Sequence, residues 1–148
     1  MDTFVSKFGG SSLADASMYA KVAGIVNSDP RRRIVVPSAP GKRNNQDKKI
    51  TDLLYAAQEA VADGLGLGQA WDTFYTRFTE LGQQTGSSAK LEPRLAQVQK
   101  ELLSGCSAAH AASRGEFLSG IILAHVLDYE FVDAAEVIRF DAAGRLDP

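Results

Sequence analysis

The chain has 148 residues, 45% of them hydrophobic and 23% charged, the size and composition of one ordinary globular domain. A formal net charge of -2 excludes a global pull toward nucleic acid or an anionic membrane. The single cysteine, Cys106, excludes an internal disulfide and a cysteine-built zinc site, and reads as a small core or near-surface residue in a helix-like stretch.

Met1-Asp2 lacks the basic start of a secretory signal. The longest apolar runs, such as Ile121-Ile122-Leu123, fall far short of the roughly 20 residues that span a bilayer. The expected location is cytoplasmic, with neither membrane nor nucleic acid as a partner.

Thr3 to Phe8 predicts a short buried strand that runs into Gly9-Gly10. From Leu13 to Val26 the period becomes helical, with Met18, Val22, Ile25 and Val26 on one stripe and Asp15 or Ser12 as the cap. Asn27-Ser28-Asp29-Pro30 ends that helix, and the β-branched run Ile34-Val35-Val36 predicts a second strand. Strand, helix and strand in this order make a βαβ unit, hence a parallel pair in an α/β fold.

A polar loop, Ser38 to Lys49, follows and carries Lys42, Arg43, Lys48 and Lys49. Ile50 to Ala62 predicts a helix, broken by Gly64-Leu65-Gly66-Leu67-Gly68. That glycine string follows a helix rather than a strand, so it reads as a breaker and not as a dinucleotide fingerprint. Trp71, Phe74, Tyr75, Phe78 and Leu81 form an apolar stripe, and Gly82 to Ser88 reads as a loop. Pro93 suits the first turn of a helix whose stripe is Leu95, Val98, Leu102 and Leu103. Ala108 to Leu127 predicts another helix, Phe131-Val132 a third strand and Val137-Ile138 a fourth. Asp141 to Pro148 reads as a loop leading onward, so the chain is expected to be the front part of a longer one, with an unfinished sheet edge.

The chemistry concentrates in Lys7-Phe8-Gly9-Gly10-Ser11-Ser12. A strand that ends in two glycines before a helix exposes backbone N–H groups, and glycine permits positive φ and close approach of a ligand. The helix start adds partial positive charge, which suits phosphate. Lys7 points at the same anion from the strand, and Ser11 and Ser12 add hydroxyls. No Gly-x4-Gly-Lys-Ser/Thr string occurs. His110 and His125 lack a third ligand nearby, so no protein-only metal site is expected.

The same six residues resemble the opening signature of the aspartate kinases, in the amino-acid kinase superfamily. Four further segments fall in that family's order. They are Val35-Val36-Pro37-Ser38-Ala39-Pro40-Gly41-Lys42, Lys49-Ile50-Thr51-Asp52-Leu53-Leu54, Ser113-Arg114-Gly115-Glu116-Phe117-Leu118-Ser119 and Phe131-Val132-Asp133-Ala134-Ala135-Glu136-Val137-Ile138. The resemblance covers essentially the whole chain. It implies an α/β fold, the N-terminal lobe of a three-layer αβα sandwich with a mostly parallel sheet, incomplete in this chain. Residues 1–148 would be the N-terminal part of the catalytic domain, without the nucleotide-binding half or the regulatory ACT domains.

The implied reaction moves the γ-phosphoryl group of ATP, bound with Mg2+, to the side-chain carboxylate of L-aspartate. It gives 4-phospho-L-aspartate at the start of lysine, threonine and methionine biosynthesis. The nucleophile has a pKa of about 4 and is already ionised at neutral pH, so no general base is required. Charge stabilisation is the whole task. The resemblance gives Lys7 the catalytic role and makes Lys7, Phe8, Gly9, Gly10 and Ser11 the phosphate cradle. It assigns Ser38, Thr51 and Glu116 to the amino-acid substrate, Glu116 meeting the α-ammonium. Thr51 as a plain helix N-cap is the competing reading. The isolated chain is expected to be inactive, and the whole enzyme to be a homo-oligomer. A sister kinase acting on glutamate or acetylglutamate, and a non-catalytic binding module, stay open as alternatives.

Overall fold

In a computed structural model, residues 2–147 of the chain form a helical layer against a small parallel sheet. Strand β1 (Phe4–Phe8) pairs in parallel with β2 (Arg32–Pro37), Val5 opposite Ile34 and Lys7 opposite Val36. Between them runs α1 (Ala16–Asn27), which completes the expected βαβ unit. Four longer elements follow in part: α2 (Ile50–Ala62), α3 (Gly68–Thr85), α4 (Ser88–Leu103) and α5 (Ala108–Leu127). A short α6 (Ala134–Val137) leads to a hairpin of β3 (Arg139–Phe140) and β4 (Leu146–Asp147), paired antiparallel.

The helices follow from their stripes. Tyr19, Val22 and Val26 turn one face of α1 inward, while Ile25 stays exposed and Met18 is half-buried. Phe74 and Phe78 of α3 are wholly buried, with rings 4.8 Å apart, beside Leu91, Leu95, Val98 and Leu102 of α4. The long α5 crosses this core with Leu118 and Ile122 completely enclosed. Each such side chain contributes roughly 1.5–3 kcal/mol through burial. Gly64, Gly66 and Gly68 all take positive φ, as this helix break requires, with open space around the first two.

Only one sheet face is covered. Phe8 and Val35 pack on the core, whereas Val5, Ile34 and Val36 point to solvent at 64%, 50% and 46% exposure. The expected buried strand is therefore half-buried, because this chain supplies helices to one side of the sheet.

Other boundaries differ from expectation for local reasons. Gly82 is helical, since a Cβ there would sit 3.1 Å from Leu91 Cδ2, so α3 runs on to Thr85 and ends at Gly86 with φ 74°. The loop is then only Gly86-Ser87, and α4 starts at Ser88, leaving Pro93 inside the helix rather than in its first turn. Phe131-Val132 is not a strand. Phe131 turns its ring edge-on to Phe117 at 5.6 Å and fills the space left by Gly120. Val137 ends α6, and the extended pair begins at Arg139. Asp141 to Asp147 closes as a turn and strand instead of a loop, with Asp141 accepting from the Arg145 and Ala143 amides; Pro148 lies outside the described residues. Cys106 sits in the loop between α4 and α5, half-buried, with its thiol pKa pushed up by burial.

Candidate functional site

Parallel strands deliver their following turns to the same sheet edge, where α/β folds place ligands. Here the two turns are locked together by backbone. The Ser38 amide donates to the Phe8 carbonyl at 2.9 Å, and the Gly41 amide donates to the Gly10 carbonyl at 2.7 Å. The glycines serve this contact. A Cβ on Gly10 would stand 3.0 Å from the Ala39 oxygen, and one on Gly41 would stand 2.7 Å from the Ser11 nitrogen.

The first turn is not the simple strand-to-helix junction that its sequence suggests. Gly9 is extended, with φ -79°, and Gly10–Leu13 form a 3-10 turn before α1 begins at Ala16. Neither glycine has positive φ, so close approach, not handedness, accounts for them. The α1 start is closed by Asp15, whose carboxylate accepts from the Met18 amide at 3.0 Å and from the Ser17 hydroxyl at 2.6 Å. Those bonds, the Ser17 one foremost, hold the Asp15 pKa below its ordinary value. The Gly10 and Ser11 amides, by contrast, make no hydrogen bond among the described residues and could serve a ligand. Lys7 is exposed at the strand end and has no ion pair among the described residues. The Phe8 side chain faces the core and its carbonyl is taken by Ser38, so only its backbone belongs to the turn.

The second turn opens into a shallow pocket of about 270 Å³, lined by Ser38, Gly41, Lys42, Lys49, Thr51 and Glu116 among others. The structure thus brings Ser38, Thr51 and Glu116 into one cavity, bordered through Gly41 by the Lys7–Ser11 turn. Gly115 sets the approach of α5. A Cβ there would fall 2.7 Å from Ile50 Cγ2 and 2.9 Å from Ala39 Cβ, so α5 lies against the α2 start and presents Glu116 at its mouth. Thr51 is not the N-cap of α2. Lys49 occupies that position and makes no side-chain capping bond, which leaves the first amides of a 13-residue helix open toward the pocket. Open amides, the helix dipole and two lysines suit part of the lining to carboxylate, and Glu116 adds a carboxylate of its own to the same pocket.

Three supports escape sequence reading. The Tyr19 hydroxyl meets Ser119 Oγ at 2.7 Å in the core, tying α1 to α5; burial raises the Tyr19 pKa. The serine of the Gly-Glu-x-x-Ser segment is thus a structural partner. Arg43 donates to Asp47 at 2.9 Å and folds the Ser38–Lys49 loop on itself. Arg77 of α3 reaches the loop from beneath, donating to the Gly41 carbonyl. Its signal was its place three residues after Phe74 and four before Leu81, on the buried face of α3.

No family model matches the chain. Over 61 residues, 40% of this chain and 13% of that protein, it is 58% identical to Aspartokinase 3 of Bacillus subtilis (strain 168). Against the crystal structure of Clostridium acetobutylicum aspartate kinase, 99% of the chain superposes with a TM-score of 0.94 at 46% identity. The chain belongs to the aspartokinase family. It also matches E. coli aspartokinase III, solved in complex with aspartate and ADP, at TM-score 0.74 and 26% identity over 99% of the chain. The same enzyme in complex with lysine and aspartate gives TM-score 0.76 at 26% identity. This aspartokinase segment spans about a third of these solved chains, 34% of the first and 35% of the others. Among the described residues, no helix is long and apolar enough to cross a membrane.

Proposed function

We propose that this chain is the amino-acid-binding, N-terminal part of an aspartate kinase catalytic domain, acting in the cytoplasm as part of a larger homo-oligomeric enzyme. The observation that carries the reading is the pocket itself, whose lining combines an uncapped helix start, Lys42 and Lys49 with Ser38, Thr51 and the carboxylate of Glu116. L-Aspartate needs this arrangement of charge: two carboxylates against amides, hydroxyls and lysines, and one ammonium against a carboxylate.

The side-chain carboxylate attacks the γ-phosphorus of ATP, and the β-γ bridging oxygen leaves with ADP. An ionised carboxylate needs no proton removed, so the chain's residues serve to orient and to neutralise charge. Glu116 fixes the ammonium end, and Thr51 with Ser38 orients the carboxylates. Lys7 and the Gly10 and Ser11 amides meet the phosphoryl oxygens. Mg2+ would arrive with the nucleotide.

ADP release coupled to L-aspartate and ATP tests the reading, measured on the polypeptide that carries this segment. Activity with L-aspartate, reduced on the order of a hundredfold or more by Lys7→Ala, is expected. The 148-residue chain alone should not turn over. Turnover by the chain alone, lost in Lys7→Ala, would overturn the division of labour proposed here, and turnover with glutamate in place of aspartate would overturn the substrate.

A further inference from the structure

Nothing in the chemistry above uses the buried arginine of α3. Arg77 is only 4% exposed, and a guanidinium is costly to remove from water. Its Nη2 donates both to the Gly41 carbonyl at 2.5 Å and to the Ala14 carbonyl at 3.2 Å, residues 36 and 63 positions away in sequence. Its Nη1 lies 3.7 Å from Asp47 Oδ2, and neither Nη1 nor Nε has a hydrogen-bond partner among the described residues. Were packing its only use, an apolar side chain of similar volume would serve as well at less cost.

The geometry points to Arg77 as a positioning residue that locks the two turns of the candidate site together. One nitrogen spans the end of the first turn, at Ala14, and the wall of the pocket, at Gly41. The Gly41 residue is then gripped at both ends, its N–H by Gly10 and its C=O by Arg77. Asp47 supplies the counter-charge and is itself held by Arg43, so the loop that carries Lys42 is folded onto this anchor. Both carbonyl bonds leave one nitrogen, so a lysine ammonium could keep part of the anchor, but it lacks the second guanidinium nitrogen that faces Asp47. The inference rests on reading the pocket as the amino-acid site.

The test uses the 148-residue chain, isotopically labelled, with Arg77→Met and Arg77→Lys. Arg77→Met keeps the buried volume without stranding a charge. Amide hydrogen exchange at Gly41 should quicken about tenfold or more in Arg77→Met, with partial recovery in Arg77→Lys, while Leu118 and Ile122 in α5 hold their protection. L-Aspartate titrated into Arg77→Met should bind about tenfold more weakly. Unchanged Gly41 exchange and chemical shift in both variants would refute the anchor. Equal acceleration at Leu118 would also refute it, by making Arg77 a general stabiliser. Should wild type fail to bind L-aspartate, the pocket reading falls, and Gly41 exchange still decides what Arg77 does.

Discussion

Helices α1 and α2 occupy equivalent places, each following one strand of the same parallel pair, yet they begin in opposite ways. The α1 start is closed by its own Asp15 carboxylate. The α2 start has Lys49 at the cap with no capping bond, and its first residues line the pocket. A helix start binds an external anion only when its amides are not already satisfied. This contrast is the reason the proposed function puts the amino-acid carboxylates at α2 and phosphate at the 3-10 turn of Gly10 and Ser11, not at α1.

The largest expected effect comes from the contact that keeps the two turns in register. Gly41→Ala should cost about 3 kcal/mol in urea unfolding, the upper end of overpacking, because the obstacle is the Gly10 and Ser11 backbone and cannot swing aside. An effect below about 0.5 kcal/mol would mean that the turns separate freely. Asp15→Ala tests the contrast itself. It removes a cap and should cost about 1 kcal/mol, with L-aspartate affinity unchanged. A large loss of affinity would show that the α1 start, not α2, meets the ligand.

The Asp47 pair gives the smallest effect. Chiefly through the Arg43 hydrogen bond, the Asp47 pKa is pulled well below the ordinary value of 3.8. A lowered folded-state pKa stabilises fully above the unfolded value and is lost as pH falls through the folded one. Arg43 is partly exposed, so the contribution is discounted to about 1 kcal/mol or less. Wild type should therefore lose stability faster than Asp47→Asn as pH drops below about 4, and the two should run parallel from pH 5 to 7. Parallel curves throughout would show the loop to be held by other contacts.

How far this contrast was legible in the sequence follows from range. The βαβ unit, α2 and α5 are written in local period, and the Lys7–Ser12 string and Gly115-Glu116 announced their places. What stayed hidden depends on contacts distant in sequence. Gly82 looks like a loop residue until Leu91 is packed against it. Phe131 looks like a strand residue until Gly120 offers its ring a slot. Thr51 looked like a cap because its hydroxyl fits one, whereas the helix starts one residue earlier, behind Lys49. Tyr19, Ser119 and Arg77 support the site from elements whose crossing no local pattern records.

The central claim is that the pocket beside α2 receives the amino acid. Titration of L-aspartate into the labelled 148-residue chain tests it most directly. Saturable shifts are expected at Ser38, Thr51 and Glu116, with little change at Met18 in the closed α1 start and about tenfold weaker binding in Glu116→Gln. Saturable binding that leaves these residues unmoved, or that Glu116→Gln does not weaken, would contradict it.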